Sequence, residues 1–421
     1  MPGLLAPLRH RDFRLLWIGM STSLLGDGVL LVALAWHVYA IAGAPAAMSA
    51  VGFAMSLPQV ATLLLGGVVS DRLDRRSVML LTDLVRGTCL AVLAVLSIIG
   101  AVELWQIVVL VACYGAASGF FGPAFDAIVP DLVPEADLVR ANALDQFVRP
   151  AALQIAGPAL GGLLVAMSGS GWAFALDTAT FFTSAGCLLA MRRGAAAPST
   201  PGAPASAAGE ATPASVWSEL VQGMRYVRRN VWLWGTFLAA TFAYLLFIGP
   251  TEVLLPFVVK NELAGSAGDL GLVLASGGLG AVVAALAVGQ AGVPRRYMPF
   301  IYGTWTLATL AIVGYGLATA SWQLALACAF VNGLEAAGTI AWATAKQRLV
   351  PAELLGRVSS VDWFVSIALV PLSYALVAPV AGAFGPRVTL IGAGLLGAVV
   401  TLAFLYLPGM REPRPTAVPS T

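Results

Sequence analysis

The sequence has few charged residues: Asp, Glu, Lys and Arg together fill only 10% of its 421 positions. Soluble domains carry about 25% charged residues. Apolar residues make up 59% of the chain, and the mean hydropathy is +0.87. A water-soluble fold could not bury that much apolar side chain, because its surface area grows with its size. The composition therefore predicts an integral membrane protein that has no large domain outside the membrane.

Lysine and histidine are also scarce, with two residues each, and the four cysteines stand singly in apolar stretches. Because no basic face remains outside short loops, a nucleic-acid partner is excluded. The cysteines lack CxxC spacing and no HExxH occurs, so we predict no disulfide, metal or cofactor. Neither lysine stands in a G-x-x-x-x-G-K-[ST] loop, which excludes an ATP-driven pump. The two histidines also provide no basis for an enzyme that needs a nucleophile–base pair.

Long apolar runs fill most of the chain. A helix that crosses the hydrocarbon needs about 20 mostly apolar residues, and twelve runs meet that length. They predict an all-α integral membrane protein with twelve transmembrane helices, at about 15–41, 46–70, 78–101, 104–127, 144–168, 171–191, 231–259, 267–291, 298–319, 322–345, 359–382 and 387–408.

Arginine is distributed unevenly between the two sets of loops. If both termini are cytoplasmic, 19 of the 23 basic residues lie in cytoplasmic segments, and only Lys260 and Arg387 lie on the other side. Cytoplasmic loops of membrane proteins carry such an excess of Lys and Arg. We therefore predict a multi-pass protein of the bacterial inner membrane with both termini in the cytoplasm. The first run is long and contains Asp27, so we expect it to remain as a span rather than to be cleaved.

A Pro-, Ala- and Ser-rich segment at 194–215 divides the runs into two sets of six. We predict an N-terminal bundle over 1–193, a cytoplasmic linker over 194–230, a C-terminal bundle over 231–410 and a tail over 411–421. Apolar residues recur at helical spacing from Trp217 to Val227. They favour either an amphipathic helix on the membrane surface or an extension of the seventh helix.

An internal repeat supports this division. The segment LVPEADLVRANALDQF from Leu132 matches LVPAELLGRVSSVDWF from Leu349 at an offset of 217 residues, which pairs Asp145 with Asp362. The loop after the fourth helix therefore corresponds to the loop after the tenth. Two parallel six-helix halves with a weak repeat are typical of a transporter.

Two motifs and the opening segment carry a resemblance to a known family. The loop after the second run reads GGVVSDRLDRR, the fifth run contains GPALGG, and the chain opens with LRHRDFRLLWIGMSTSLLGDGVL. These segments resemble the major facilitator superfamily, in particular its drug:H+ exporter branch with the macrolide and enterobactin exporters. The arginine that many of these exporters place in the fourth helix is absent, so their proton-relay scheme does not transfer intact.

The resemblance implies two bundles that work by alternating access, and it assigns roles to both motifs. The first motif would form an inner gate that latches the halves, with a plain positively charged loop as the alternative; its residues are Gly67, Asp71, Arg72, Arg75 and Arg76. The second motif would let helices pack closely, and the resemblance associates it with export; its residues are Gly157, Pro158, Gly161 and Gly162.

Charged residues inside the bilayer are costly and point to function. At 1.5 Å per residue, Asp27 lies roughly 20 Å and Glu335 roughly 16 Å from the arginine-rich side. We predict that both line a central cavity and that one or both bind protons, with hydrogen-bonded packing carboxylates as the alternative. Glu252, nearer the other side, and Arg149 are further cavity candidates.

Other ionisable residues have structural interpretations. The spacings of Asp83 with Arg86 and of Asp145 with Arg149 predict ion pairs on one helix face, near the inner surface. Asp362 would cap a helix N-terminus. Asp177 would lie near the outer end of the sixth helix, either functional or structural. His37 is interpreted as an interfacial residue.

Together these observations predict a secondary active transporter. It would export a small hydrophobic or amphiphilic compound as protons enter, and it would work as a monomer in contact with membrane lipids. The alternatives are uptake or uniport of a small metabolite, and a receptor without transport activity. The small number of polar residues in the helices argues against a sugar or nucleotide site.

Overall fold

The computed structural model describes residues 5–192 and 224–411; of residues 64–72, 135, 136, 139, 143, 146, 352, 353, 356 and 360 it describes the backbone alone. Within these residues the fold is all-α, without strands, and twelve helical segments are long and apolar enough to cross a membrane. The prediction of twelve membrane spans is therefore confirmed.

The first six spans follow one another through short turns. Their bounds are Arg11–Ile41 for span 1, Pro45–Arg72 for span 2, Arg75–Ile98 for span 3 and Leu104–Leu132 for span 4. Span 5 combines Glu135–Arg149, a π-helix at Pro150–Ala156 and Gly157–Ser168, and span 6 is Ser170–Ala190. These spans make up the first half of the structure.

The second half contains six more spans. Span 7 combines Val231–Phe257 with a π-helix at Val258–Glu262, and span 8 is Ala267–Ala291. Span 9 combines Tyr297–Ala311 with Val313–Leu317, and span 10 is Ser321–Leu349. Span 11 combines Ala352–Ile367 with Val370–Phe384, and span 12 is Pro386–Leu405. We call the side where span 1 begins and span 12 ends the terminal side, and the opposite side the distal side.

Local sequence signals fix where several spans begin. Asp74 caps span 3, because its carboxylate accepts a hydrogen bond from the Ser77 amide at 3.0 Å. Ser266 and Asp269 form a capping box at the start of span 8. Such side chains satisfy the amides that the first helical turn leaves without partners.

Buried apolar side chains form three clusters among the described residues. The distal cluster contains residues of both halves, such as Val29 and Phe174 from the first and Val253 and Leu270 from the second. On the terminal side each half has its own cluster. The two halves are therefore packed together on the distal side, and they keep separate cores on the terminal side.

The segment before span 7 is a short helix over residues 224–229, of which Tyr226 and Val227 are buried in the core of the second half. Asn230 follows in an extended conformation and precedes the first residue of span 7. This short helix is therefore not a continuous extension of span 7. The rest of the proposed amphipathic helix, including Trp217, lies outside the described residues, as does the linker at 194–215.

Candidate functional site

Two polar contacts join the halves on the distal side. The Tyr39 hydroxyl on span 1 donates to the Val253 carbonyl on span 7 at 2.5 Å. The Lys260 ammonium donates to the Trp36 carbonyl at 2.9 Å and lies 4.7 Å from the centre of the Trp36 ring. Lys260 belongs to the π-helix that ends span 7 and thus reaches across to the other half.

Close backbone approach joins spans 5 and 8 near the same side. A methyl group placed on Gly162 would lie 2.7 Å from the Ala267 carbonyl oxygen and 3.0 Å from the Gly271 Cα. Carbon atoms in proteins do not normally approach an oxygen that closely, so a larger residue would push the helices apart. Gly157 meets Gly28 of span 1 in a similar way. The GPALGG motif thus packs against both halves, and Pro158 and Gly161 lie buried within it.

Asp27 lies halfway along span 1 and is half-buried. One of its carboxylate oxygens accepts a hydrogen bond from the Tyr114 hydroxyl on span 4. Its charge also interacts with those of Arg86 on span 3 and Arg149 on span 5. Three other spans of the first half therefore contribute polar groups around this one carboxylate.

The Asp83–Arg86 pair is buried behind Asp27. The guanidinium Nη2 donates to Asp83 Oδ1 at 2.5 Å, and the Ser184 hydroxyl donates to Asp83 Oδ2 at 2.6 Å. The guanidinium also lies 4.5 Å from the centre of the Phe181 ring, a favourable cation–π position. The predicted pairing is confirmed. Asp83 is fully buried, because spans 4 and 6 close over it.

Asp177 is the eighth of the 21 residues of span 6, counted from its distal end. It is fully buried, and its Oδ2 atom has no hydrogen-bond partner in the described structure. Its other oxygen lies 3.0 Å from the Thr180 hydroxyl. The side chain fills the space beside Gly26, where a methyl group would lie 2.9 Å from Asp177 Cγ. The neighbour of Gly26 in the chain is Asp27.

The second half places two carboxylates near each other. Glu335 on span 10 is half-buried, Glu252 on span 7 is exposed, and their charges interact. Tyr315 on span 9 and Tyr374 on span 11 interact with Glu252 as well, which places it on the inner side of its half. Neither carboxylate forms a salt bridge among the described residues.

Asp362 does not cap a helix, contrary to expectation, because its helix begins ten residues earlier at Ala352. Its carboxylate instead binds span 10: Lys346 donates to Oδ2 at 2.5 Å and the Trp342 indole at 2.8 Å. Ser366 donates to Oδ1 at 3.3 Å. Asp362 therefore ties span 11 to span 10 near the terminal side.

The corresponding Asp145 in the first half pairs within its own helix. Arg149 donates to Asp145 Oδ1 at 3.2 Å, as the spacing predicts. The Arg149 side chain is 45% exposed, and its charge also interacts with those of Asp126 on span 4 and Asp27. Arg149 is the last residue before the π-helix of span 5, a type of helix that often marks functional positions.

The two described arginines of the GGVVSDRLDRR loop bind within the first half. Arg75 donates to Asp131 Oδ2 at 2.6 Å and to the Ala127 carbonyl at 2.9 Å, at the end of span 4. Arg76 donates to the Leu188 carbonyl at 2.6 Å, at the end of span 6. Cations stabilise helix C-termini in this way. Of Gly67, Asp71 and Arg72 the structure describes the backbone alone.

His37 is half-buried near the distal end of span 1 and contacts two other spans. Its Nε2 lies 3.0 Å from the Ser97 hydroxyl on span 3, and its ring meets the edge of Phe174 on span 6 at 5.6 Å. The imidazole therefore packs among three spans of the first half, on the distal side of Asp27.

The sequence predicts Asp27 and Glu335 as cavity residues, but it does not predict the side chains that contact the carboxylates within the spans. Tyr114, Thr180 and Trp342 carried no signal, because an aromatic or hydroxyl residue in an apolar helix usually packs or bonds its own backbone. Asp177 did carry a signal, since an acidic residue within a span is a functional candidate by default.

Two six-span halves that join on one side, with ionisable residues between and within them, define a membrane transporter rather than an enzyme. The nucleoside transporter NupG has a similar fold, with a TM-score of 0.68, 12% sequence identity and coverage of 94% of this chain and 98% of that one. A family model described as transmembrane secretion effector matches residues 2–417, and the chain belongs to this family of the major facilitator superfamily. Its substrate is accordingly a small molecule.

Curated relatives cover nearly the whole chain at low identity. The multidrug efflux pump Tap of Mycolicibacterium fortuitum is 28% identical over 92% of this chain and 93% of that protein. The enterobactin exporter EntS of Escherichia coli O1:K1 / APEC is 26% identical over 98% of this chain and 96% of that protein. The resemblance seen in the motifs is therefore confirmed along the chain.

Proposed function

We propose that the protein exports small hydrophobic or amphiphilic compounds across the bacterial inner membrane in exchange for protons. The observation that carries this proposal is the position of Asp27 in one half and Glu335 in the other. Both are half-buried near mid-membrane. Of the three core clusters, only the distal one contains residues of both halves. Carboxylates at this depth cost free energy, and where membrane proteins contain them they usually mark a pathway for protons or substrate.

The distribution of arginine supports the orientation, with the terminal side in the cytoplasm. In this orientation the structure corresponds to the state in which substrate enters from the cytoplasm. The names of the relatives, a multidrug efflux pump and an enterobactin exporter, support the direction of transport. The energetics are sufficient: one charge crossing 100 mV supplies about 2.3 kcal/mol, whereas tenfold accumulation requires about 1.4 kcal/mol.

Closure of the terminal side completes the cycle. We assign the inner gate to the GGVVSDRLDRR loop, where Asp71 and Arg72 would contact the second half once the separate terminal cores come together. Arg75 and Arg76 hold this loop against spans 4 and 6 and lie where lipid head groups would be. We propose that a single chain performs the whole cycle, because the carboxylates of both halves, Asp27 and Glu335, belong to one chain.

Transport into inverted membrane vesicles tests the proposal. Respiration acidifies the interior of such vesicles, so an exporter that exchanges its substrate for protons accumulates the substrate inside. We expect accumulation of the macrolide erythromycin or of ethidium, and its loss when an uncoupler is added. The variants Asp27→Asn and Glu335→Gln should lose the pH dependence of transport, because neither amide binds a proton near neutral pH.

Glu103→Gln serves as the matched control, since Glu103 caps span 4 in a distal turn and a glutamine still accepts that hydrogen bond. It should accumulate substrate like the wild type. Entry of substrate that stops at the external concentration and that an uncoupler leaves unchanged would indicate uniport, and accumulation only in right-side-out vesicles would indicate uptake. Either result contradicts the proposal.

A further inference from the structure

Among the described residues, the first half encloses more acidic groups than its one buried cation can balance. Asp83 and Asp177 are fully buried and Asp27 is half-buried, whereas Arg86 is the buried cation among them. Arg86 is already paired with Asp83 at 2.5 Å. An ionised carboxylate without a partner is very costly in such surroundings, so a group like this takes up a proton instead.

Asp177 is the carboxylate without a cation. Its Oδ2 has no partner in the described structure, and the side-chain hydrogen-bonding neighbour of its Oδ1 is the Thr180 hydroxyl. Asp27, by contrast, is only half-buried and accepts a hydrogen bond from Tyr114. The surplus negative charge therefore falls on Asp177. The ionisable groups whose charges interact with Asp177 are Asp27 on span 1, Arg86 on span 3 and Tyr114 on span 4.

The geometry at Thr180 shows where a proton fits. The Thr180 hydroxyl lies 2.7 Å from the carbonyl oxygen of Asp177 and 3.0 Å from its Oδ1. A hydroxyl has one hydrogen and two lone pairs. If that hydrogen bonds the carbonyl at the shorter distance, the contact with Oδ1 needs a hydrogen from the carboxyl group. A protonated Asp177 satisfies both contacts.

We propose that Asp177 binds a transported proton, and that Asp27 exchanges this proton with the central cavity. This inference rests on the proposed function and extends it to a second, fully enclosed site. The proton leaves Asp177 and binds a carboxylate oxygen of Asp27, and no other bond changes. Tyr114 occupies one oxygen of Asp27, which leaves the other to receive the proton. Gly26 lets the two carboxylates come close, because any side chain there would collide with Asp177.

Infrared spectroscopy on the purified full chain tests the site without a substrate. A protonated carboxyl group has a C=O stretch that the ionised group lacks, and titration with pH gives its midpoint. We expect this band in the wild type and its loss in Asp177→Asn, whose amide can still donate to Thr180. Glu103→Gln is the control and should leave the band unchanged. If the band remains in Asp177→Asn, the assignment of the proton to Asp177 is wrong, even if the protein exports its substrate.

Thr180→Val tests the direction of the hydrogen bond. If the carboxyl donates to Thr180, removal of the hydroxyl destabilises the protonated form and moves the midpoint to lower pH. A shift to higher pH would show that Thr180 donates to an ionised carboxylate, which contradicts the proposal. A midpoint that depends on Na⁺ rather than on pH alone would likewise overturn the assignment to a proton.

Transport separates this inference from the function on which it rests. In inverted vesicles Asp177→Asn should still exchange erythromycin across the membrane at equal concentrations but should lose uphill accumulation. The loss should approach about 50-fold at 100 mV, the accumulation that one proton charge supports. If the wild type shows uncoupler-sensitive accumulation and Asp177→Asn matches it, the proposed function stands and the role of Asp177 is wrong. If the wild type shows no such accumulation, the proposed function itself fails.

Discussion

The two halves share one fold but hold their charges differently. The first half buries an ion pair within span 3 and an acid on span 6, all enclosed by helices of the same half. At an offset of 220 residues, which aligns Arg75 with Arg295 at the loops before spans 3 and 9, Gly303 and Thr306 of span 9 stand where the first half has Asp83 and Arg86. The second half instead leaves Glu252 and Glu335 facing inward and holds its more buried ion pair among the described residues, Lys346 with Asp362, between two spans.

This difference indicates a division of labour. A buried and enclosed set of charges suits a small ligand such as a proton, which needs no open space. Carboxylates beside the aromatic residues of spans 9 and 11 suit contact with a larger, amphiphilic compound. The repeat therefore preserved the helices, whereas the charges diverged between the halves.

Removal of Arg86 should have the largest effect. Arg86→Gln leaves Asp83 buried without its cation, and loss of one partner of a buried pair costs about 3–5 kcal/mol. We expect little folded protein and a much lower midpoint of thermal unfolding in detergent. Arg140→Gln is the control, because its side chain is 49% exposed. Equal unfolding midpoints for the two variants would show that the first half does not depend on its buried pair.

A bulkier residue between the halves should abolish transport without unfolding either half. Gly162→Val would force spans 5 and 8 apart, since even a methyl group lies within 3.0 Å of the Gly271 Cα. We expect normal expression, loss of transport and increased labelling of distal cysteines introduced into the interface. Gly289→Ala on span 8 has open space around it and should behave like the wild type. Retained transport by Gly162→Val would mean that this close approach is not needed for closure.

The ion pair of the second half should matter less than that of the first. After Lys346→Gln, Asp362 keeps its hydrogen bonds from Trp342 and Ser366, so we expect a loss of about 1–3 kcal/mol in the free energy of unfolding. Thermal unfolding in detergent measures it, with Lys346→Arg as the conservative control. A loss as large as that of Arg86→Gln would remove the contrast between the halves.

The smallest effect concerns Asp137, which lies on the terminal side within the segment of the 217-residue repeat. Asp137 corresponds to the buried Leu354, and the hydrogen bond from Arg140, with a further one from His10, lowers the pKa of Asp137. A carboxyl with a lowered pKa contributes stability above its unfolded pKa and loses it as pH falls through the folded value. Asp137→Asn should therefore unfold at a slightly lower temperature at neutral pH. The difference should disappear below about pH 3, and a difference that persists there would exclude this ion-pair origin.

Most of the fold could be predicted because lipid restricts the choice. A spanning segment must satisfy its own backbone, so length and hydropathy are enough to locate a helix such as span 10. Pairs within one helix, such as Asp145 with Arg149, also follow from spacing. Partners on different helices did not follow: Asp362 was expected to be a cap, although it binds Lys346 and Trp342 on the preceding span.

The sequence by itself determined that the chain is embedded in lipid, the number of spans, the division into halves and the family, because these depend on composition and on the order of residues along the chain. Only the tertiary structure decided which side the halves close on and which carboxylates lack a cation. Helix rotation and packing set the environment of each charge, and about half a turn of a helix moves a side chain from a neighbouring helix to lipid. The roles of Asp177 and Asp362 became visible only when spans distant in sequence were placed side by side.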